Sequence, residues 1–388
     1  MRLKYEELEL LKKKYGVNRI WSFSRISTFL NCRWAYKLLY IDKIRANNDN
    51  VYTIMGTECH RIIQDYLAND IKYPDMEHQW GEFIQKWKDD PKSFQFDTKK
   101  IENGYLDNIE HYFKNTDSIP FKVNNEKPIL IKLKDKDGKP FIFVGYADTE
   151  YKDDKGDLNI IDFKTSSKST FSPKGLPKKS MQLILYAIGE HQRTGLPYDK
   201  IHCRFDMQKY CTVNYRMENG KWKNSIQARS EWVFKMSNKL KTKLPKAGVD
   251  PITTDEMIIE ASQNNNMDNL PEEVRNQFRI SNYYIDIELS EEICQKLEEK
   301  IIGYCKDTLE LEDMGEDLND YLEINFPYDS SNYYCQKLCA YHSSQAFKEE
   351  MGIIKKPLLD EQEIDNLFGN VESEDAEEDD ELLKELLS

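Results

Sequence analysis

Apolar positions recur at helical spacing through the first hundred residues and give way to strand-like runs from about residue 127. Residues 3–15 read as an amphipathic helix. WSFSRISTFLNCRWAYKLLYI (21–41) reads as a second, with Ser22 or Ser24 as its cap. Residues 54–70 predict a third helix and 80–114 further helix. KPILIKL (127–133), FIFVGYADTEY (141–151) and LNIIDFK (158–164) are strand-like, with Gly138 and Gly156 in the turns between them, and together predict a three-strand meander. Then come a helix at 179–192, strands near 200–217, a basic helix near 226–244 and a helix at 289–311 capped by Ser290. The pattern predicts an α/β fold, a small mixed central sheet flanked by helices. It divides into N-terminal helices (1–50), a core (51–250), a C-terminal helical segment (251–358) and an acidic tail (359–388) expected to be disordered.

Charge sharpens this picture. The chain of 388 residues carries a net −14, which taken whole argues against a nucleic-acid partner. Its distribution argues the other way. Residues 164–246 hold 18 Lys/Arg against 5 Asp/Glu, whereas residues 247–388 hold 10 against 37. A basic block therefore follows the third strand, where it could engage phosphates. No apolar run is long enough to span a membrane, and the N-terminus lacks a signal peptide's apolar stretch, so a cytoplasmic protein is expected. The eight cysteines are scattered, which argues against a disulfide framework; Cys59, Cys203, Cys211, Cys294 and Cys305 read as core.

The candidate chemistry starts at the end of the third strand. Asp162 and Lys164 are two apart, so both side chains leave the same face. Alone, such a D-x-K is usually a surface ion pair on an edge strand. Asp148 lies fourteen residues earlier, and antiparallel pairing would bring it beside Asp162. Two carboxylates so placed repel unless a cation lies between them, and Mg²⁺ takes one or two carboxylates plus water and substrate phosphate. Upstream, His60 sits on a helix; downstream, Gln182 and Tyr186 share a helix face at i, i+4. Arg25, Arg33 and Lys37, interleaved with aromatics, and Lys235, Lys239, Lys243 and Lys246 are further candidates for phosphate contact; the alternative is a solvated helix face.

In the order His60, Asp148, Asp162-x-Lys164, Gln182-x₃-Tyr186, the chain resembles the PD-(D/E)XK nuclease superfamily in its RecB-like branch, from about Ser22 to His342. That branch includes the nuclease domains of recombination helicase–nucleases and the nuclease of CRISPR spacer acquisition. The resemblance implies a restriction-endonuclease-like fold and hydrolysis of DNA phosphodiesters with Mg²⁺ or Mn²⁺. It implies that His60, Asp148 and Asp162 ligate the metal, with the Phe163 carbonyl a further ligand. Lys164 would be the catalytic lysine, and Gln182 and Tyr186 would contact the DNA backbone and brace the site. An exonuclease acting on ends or single strands in recombination, repair or replication is the expected activity. A structure-specific or CRISPR-type endonuclease is the alternative within the class, and a non-catalytic DNA-binding or adaptor protein using the acidic region is the alternative outside it.

Members of the branch with a metal-cluster clamp carry one early cysteine and three late ones. Here Cys32 fits the early place and Cys335 and Cys339 two late ones, while the third late cysteine is missing and His342 is the soft ligand nearby. The set fits zinc, a [4Fe-4S] cluster, or no metal with the cysteines as small hydrophobes. No helicase nucleotide-binding motif occurs, so a helicase, a single-strand-binding protein or a sliding clamp is the kind of partner expected through the acidic tail. There EIDNLF loosely resembles clamp-docking peptides but lacks their leading Gln.

Overall fold

The computed structural model describes residues 2–44 and 50–327. Helix α1 (Tyr5–Tyr15) stops at Gly16, whose φ of 64° only glycine adopts freely, and the short strand β1 (Ile20–Trp21) follows. Ser22 caps α2 (Phe23–Asn31), accepting from the Arg25 amide at 3.2 Å. The expected single helix over 21–41 does not persist. Cys32 is extended, with φ −158°, and its Sγ accepts from the Ala35 amide at 3.3 Å, so it starts a new turn of helix, α3 (Arg33–Tyr36), that widens into a π-type turn at Lys37–Ile41. The cations of this segment serve the fold. Arg25 donates to Tyr36 Oη at 2.9 Å and pairs with Glu312 at 3.2 Å, Arg33 stacks 3.4 Å from the Phe29 ring centre, and Lys37 pairs with Asp42.

Three helices come next: α4 (Val51–Leu67), capped by Asn50, then α5 (Tyr73–Asp89) and α6 (Lys99–Asn115). Strands β2 (Val123–Asn125), β3 (Pro128–Lys134), β4 (Pro140–Tyr146), β5 (Thr149–Lys152) and β6 (Leu158–Lys164) do not form one meander. The β3–β4 hairpin joins β1 in a three-stranded sheet ordered β1-β4-β3. The expected strand 141–151 breaks at Ala147–Asp148, and β5 crosses to the second sheet to pair with β2 and β6.

From β6 the chain passes through α7 (Leu176–Lys179) and α8 (Met181–Thr194) to β7 (Ile201–Arg216), which runs parallel to β6, as a helical crossover allows. The second half of β7 pairs antiparallel with β8 (Trp222–Ala228). The basic helix expected at 226–244 therefore begins as strand, and helix appears only in α9 (Trp232–Lys235) and α10 (Ser237–Lys246). Its lysines are engaged by the protein. Lys235 pairs with Glu231, Lys239 lies over Tyr215, Lys243 donates to the Arg216 carbonyl at 2.6 Å, and Lys246 pairs with Glu218. Helices α11 (Pro251–Asn264) and α12 (Glu272–Arg275) precede β9 (Phe278–Ile287), which pairs with β7, so the segment expected to be helical supplies a strand to the sheet. Helix α13 (Glu291–Glu312), capped by Ser290, and α14 (Leu318–Asn325) complete the described chain.

Strand β6 is the hinge of the packing. Ile161 and Phe163 bury into the core of α4, α5 and α6, while Leu158 and Ile160 bury on the other face with α8 and α13. By the two-residue period, Asp162 and Lys164 continue the Leu158–Ile160 face toward the strand's end.

Candidate active site

Asp148 sits where the chain changes sheets. The register Thr149–Ile161 puts it alongside Asp162, one step beyond the last pair. Its Oδ2 accepts from the Phe163 amide at 2.9 Å, and His60 Nδ1 lies 3.5 Å from the same oxygen. His60 reaches this point because α4 runs past the end of β6. A Cβ at Gly56 would lie 3.4 Å from Thr165 Oγ1, and the His60 ring meets Phe163 edge-on at 6.1 Å. One turn further along α4, Gln64 donates to the Asp148 carbonyl at 3.0 Å, while its own carbonyl accepts from Asn125 at 2.8 Å. Gln64 thus fixes the backbone that carries Asp148. Sequence reasoning missed it, although its i+4 spacing from His60 was the available signal.

Asp162 is 6% exposed and ion-paired through Oδ2 with the Lys164 ammonium. Burial pushes the Asp162 carboxyl above its ordinary range, Asp148 adds to the rise, and Lys164 opposes it. For Lys164 burial works downward, yet the charges of Asp162 and Asp148 prevail and raise it. Each group thus depends on the other for its charge.

The donor set of two carboxylates and an imidazole, one carboxylate buried and accepting no hydrogen bond at Oδ2 beyond its ion pair, suits a hard divalent cation. Among the described residues no three acidic, histidine or cysteine groups are already drawn to common ligand distance. The donors are instead engaged with Lys164, with the Phe163 amide and with one another.

Gln182 and Tyr186, on α8, form one unit. Gln182 Nε2 donates to Tyr186 Oη at 2.7 Å, and the Tyr146 amide donates to the same oxygen at 3.3 Å. The phenol therefore clamps α8 to the end of β4, two residues before Asp148. It fits only because residue 145 is glycine, since a Cβ there would fall 2.2 Å from Tyr186 Cε1. Gly145→Ala is expected to destabilise the fold by about 1–3 kcal/mol through overpacking. Urea unfolding would measure it, and an unchanged midpoint would mean that Tyr186 swings away at no cost.

Of the cysteine set, Cys32 is partly buried and caps α3; Cys335, Cys339 and His342 lie outside the described residues, as does the acidic tail. Cys59, Cys203, Cys211, Cys294 and Cys305 are buried free thiols. No helix among the described residues is long and apolar enough to cross a membrane.

Among curated proteins, none matches the chain. A family model does: residues 20–343 match that of the PD-(D/E)XK nuclease superfamily. Its members are nucleases, generally using Mg²⁺ or Mn²⁺, so the match implies phosphodiester hydrolysis with DNA as substrate. The mixed α/β architecture, with its two sheets and flanking helices, is consistent with the restriction-endonuclease-like fold. Because the match takes in both sheets and well over half of the chain, the chain belongs to the PD-(D/E)XK nuclease superfamily.

Proposed function

We propose that the protein is a metal-dependent DNA exonuclease of the RecB-like kind, acting on DNA ends or single strands in recombination, repair or replication. The observation that carries the reading is the buried Asp162, paired with Lys164 and flanked by Asp148 and His60. His60, Asp148, Asp162 and the Phe163 carbonyl would hold Mg²⁺ or Mn²⁺. When bound, the ion supplies Lewis-acid polarisation of the scissile phosphate and a lowered pKa for the attacking water. Lys164 orients that water and offsets the charge that develops on the phosphoryl oxygens. Gln182 and Tyr186 contact the DNA backbone and keep α8 and β4 in register around Asp148.

Cys32 with Cys335, Cys339 and His342 would form a zinc or [4Fe-4S] clamp joining the two ends of the chain, a reading supported by the resemblance to clamp-bearing members of the branch and by the ligand types. The acidic tail would recruit a helicase, a single-strand-binding protein or a sliding clamp in the cytoplasm.

The test is digestion of end-labelled linear DNA and closed circular DNA, single- and double-stranded, with Mg²⁺ or with EDTA. Wild type is expected to degrade the linear forms only with the metal, and Asp148→Asn to degrade neither. Cleavage of the closed circle would replace the exonuclease reading with an endonuclease. Undiminished digestion by Asp148→Asn would remove the proposed site.

A further inference from the structure

Beside the candidate site, between the α2 and α8 helices, lies a cavity of about 160 Å³ that the roles proposed above leave without an occupant. Its floor is Phe171, Phe205 and Met181; its rim carries Lys164, Lys178, Lys179 and Gln182 from one side and Ser27 and Asn31 from the other. Pockets for whole small-molecule ligands run to roughly 300–1,000 Å³, so this one suits a single group. Its polar lining is one-sided in charge, with three ammonium groups and no carboxylate. Lys164 is balanced by Asp162, and Lys178 donates to the neutral Asn31 Oδ1 at 2.8 Å.

We infer that this cavity is an anion subsite for a second phosphate of the DNA strand, next to the one cleaved, with Lys179 and Lys178 as its positioning residues. The inference rests on the nuclease reading and adds to it a place where the strand is gripped. Lys164 and Gln182 each line the cavity and also belong to the candidate active site, so a phosphate held here is adjacent to the scissile one. The fold keeps the cations crowded: partial desolvation by the cavity walls and the charges of Lys164 and Lys178 press the Lys179 ammonium toward neutrality, a strain that an entering anion relieves. The Lys178–Asn31 hydrogen bond ties the cavity's two walls together and holds one ammonium at the mouth. Either a terminal phosphate monoester or an internal phosphodiester presents the chemistry required.

The experiment measures equilibrium binding of single-stranded oligonucleotides in EDTA, so that no cleavage intervenes. It compares wild type with Lys179→Gln, Lys178→Gln and the charge-conserving Lys179→Arg. Both lysines are exposed, so the variants are expected to fold. Each Gln variant should bind roughly tenfold more weakly, the worth of one charge-assisted hydrogen bond. The slope of log Kd against log salt should fall by about 0.7, one single-strand phosphate contact, and Lys179→Arg should restore it. Oligonucleotides with a 5′ phosphate, a 3′ phosphate or neither distinguish the sources. A variant effect confined to one phosphorylated end assigns a terminal monoester, and an equal effect on all three assigns an internal diester. Unchanged affinity and salt slope in both Gln variants, with wild type binding DNA, would overturn the subsite alone. Failure of wild type to bind any of the oligonucleotides would overturn the subsite, while the metal-dependent digestion decides the nuclease reading separately.

Discussion

Lys164→Met is expected to slow single-turnover cleavage of end-labelled DNA by about 10²–10³-fold, the usual cost of removing one charge-stabilising donor from an active site. The ammonium pairs with Asp162 at the strand's end, and Asp148 helps to keep it protonated. Methionine retains much of the length and apolar contact of the lysine stem while removing the charge. Stability separates this role from a merely structural one. Lys164→Met leaves Asp162 buried beside Asp148 without its cation, so thermal melting should drop. Asp162→Asn should lower melting less than Lys164→Met, because Lys164 is 30% exposed and keeps the charge of Asp148 nearby. The double variant Asp162→Asn/Lys164→Met should recover the lost stability and none of the lost cleavage. Cleavage by Lys164→Met within tenfold of wild type would take the lysine out of the chemistry.

The largest effect on stability is expected at Arg229, which is completely buried. It donates to Asn282 Oδ1 at 2.7 Å and lies 5.0 Å over the Tyr112 ring. Asn282 and Tyr112 in turn donate to Asp206 Oδ2 at 2.9 and 3.0 Å. The network joins α6, β7, β9 and the turn after β8, elements far apart in sequence. Burial raises the Asp206 carboxyl to about 7, with Arg229 and the two hydrogen bonds holding it down. Arg229→Met should cost about 2–4 kcal/mol at neutral pH, because Asn282 Oδ1 loses a charged donor and the Tyr112 ring its cation. Set against a typical total of about 5–15 kcal/mol, that is a large fraction.

The sign with pH follows from the direction of the Asp206 shift. A carboxyl raised from 3.8 to about 7 on folding contributes stability that is fully present below 3.8 and lost as pH rises through about 7. Removing Arg229 raises it further, so the deficit of the variant should be smaller at pH 5 than at pH 8. Urea unfolding at the two pH values measures this, and Asp206→Asn in the same background should abolish the difference. An equal deficit at both would mean that Arg229 acts by packing alone.

Much of the candidate site's geometry was legible because it depends on local periodicity. The two-residue repeat of β6 puts Asp162 and Lys164 on one face whatever surrounds it, and i, i+4 spacing pairs Gln182 with Tyr186 on any helix. The short turn between Asp148 and Asp162 allows antiparallel pairing with few alternatives. Caps such as Ser22 and Ser290 are equally local, each set by one side-chain oxygen and an amide three residues on.

What the sequence could not express is which partner an element finds. An apolar run from 141 to 151 does not say that its first half belongs to one sheet and its second half to another; that was decided by β1 and β3 on one side and β2 and β6 on the other. Residues 222–228 became strand because the long β7 offered them an unpaired edge, overriding the helical reading of their neighbours. The lysines of α10 looked free until tertiary folding brought up Arg216, Glu218 and Tyr215. Gln64 gained its importance, and Gly145 its necessity, only when Asp148 and Tyr186 were placed against them. Hydrophobic period and capping act over a few residues and are written in the chain, whereas sheet membership, ion-pair partners and close contacts are settled by segments tens of residues apart or more.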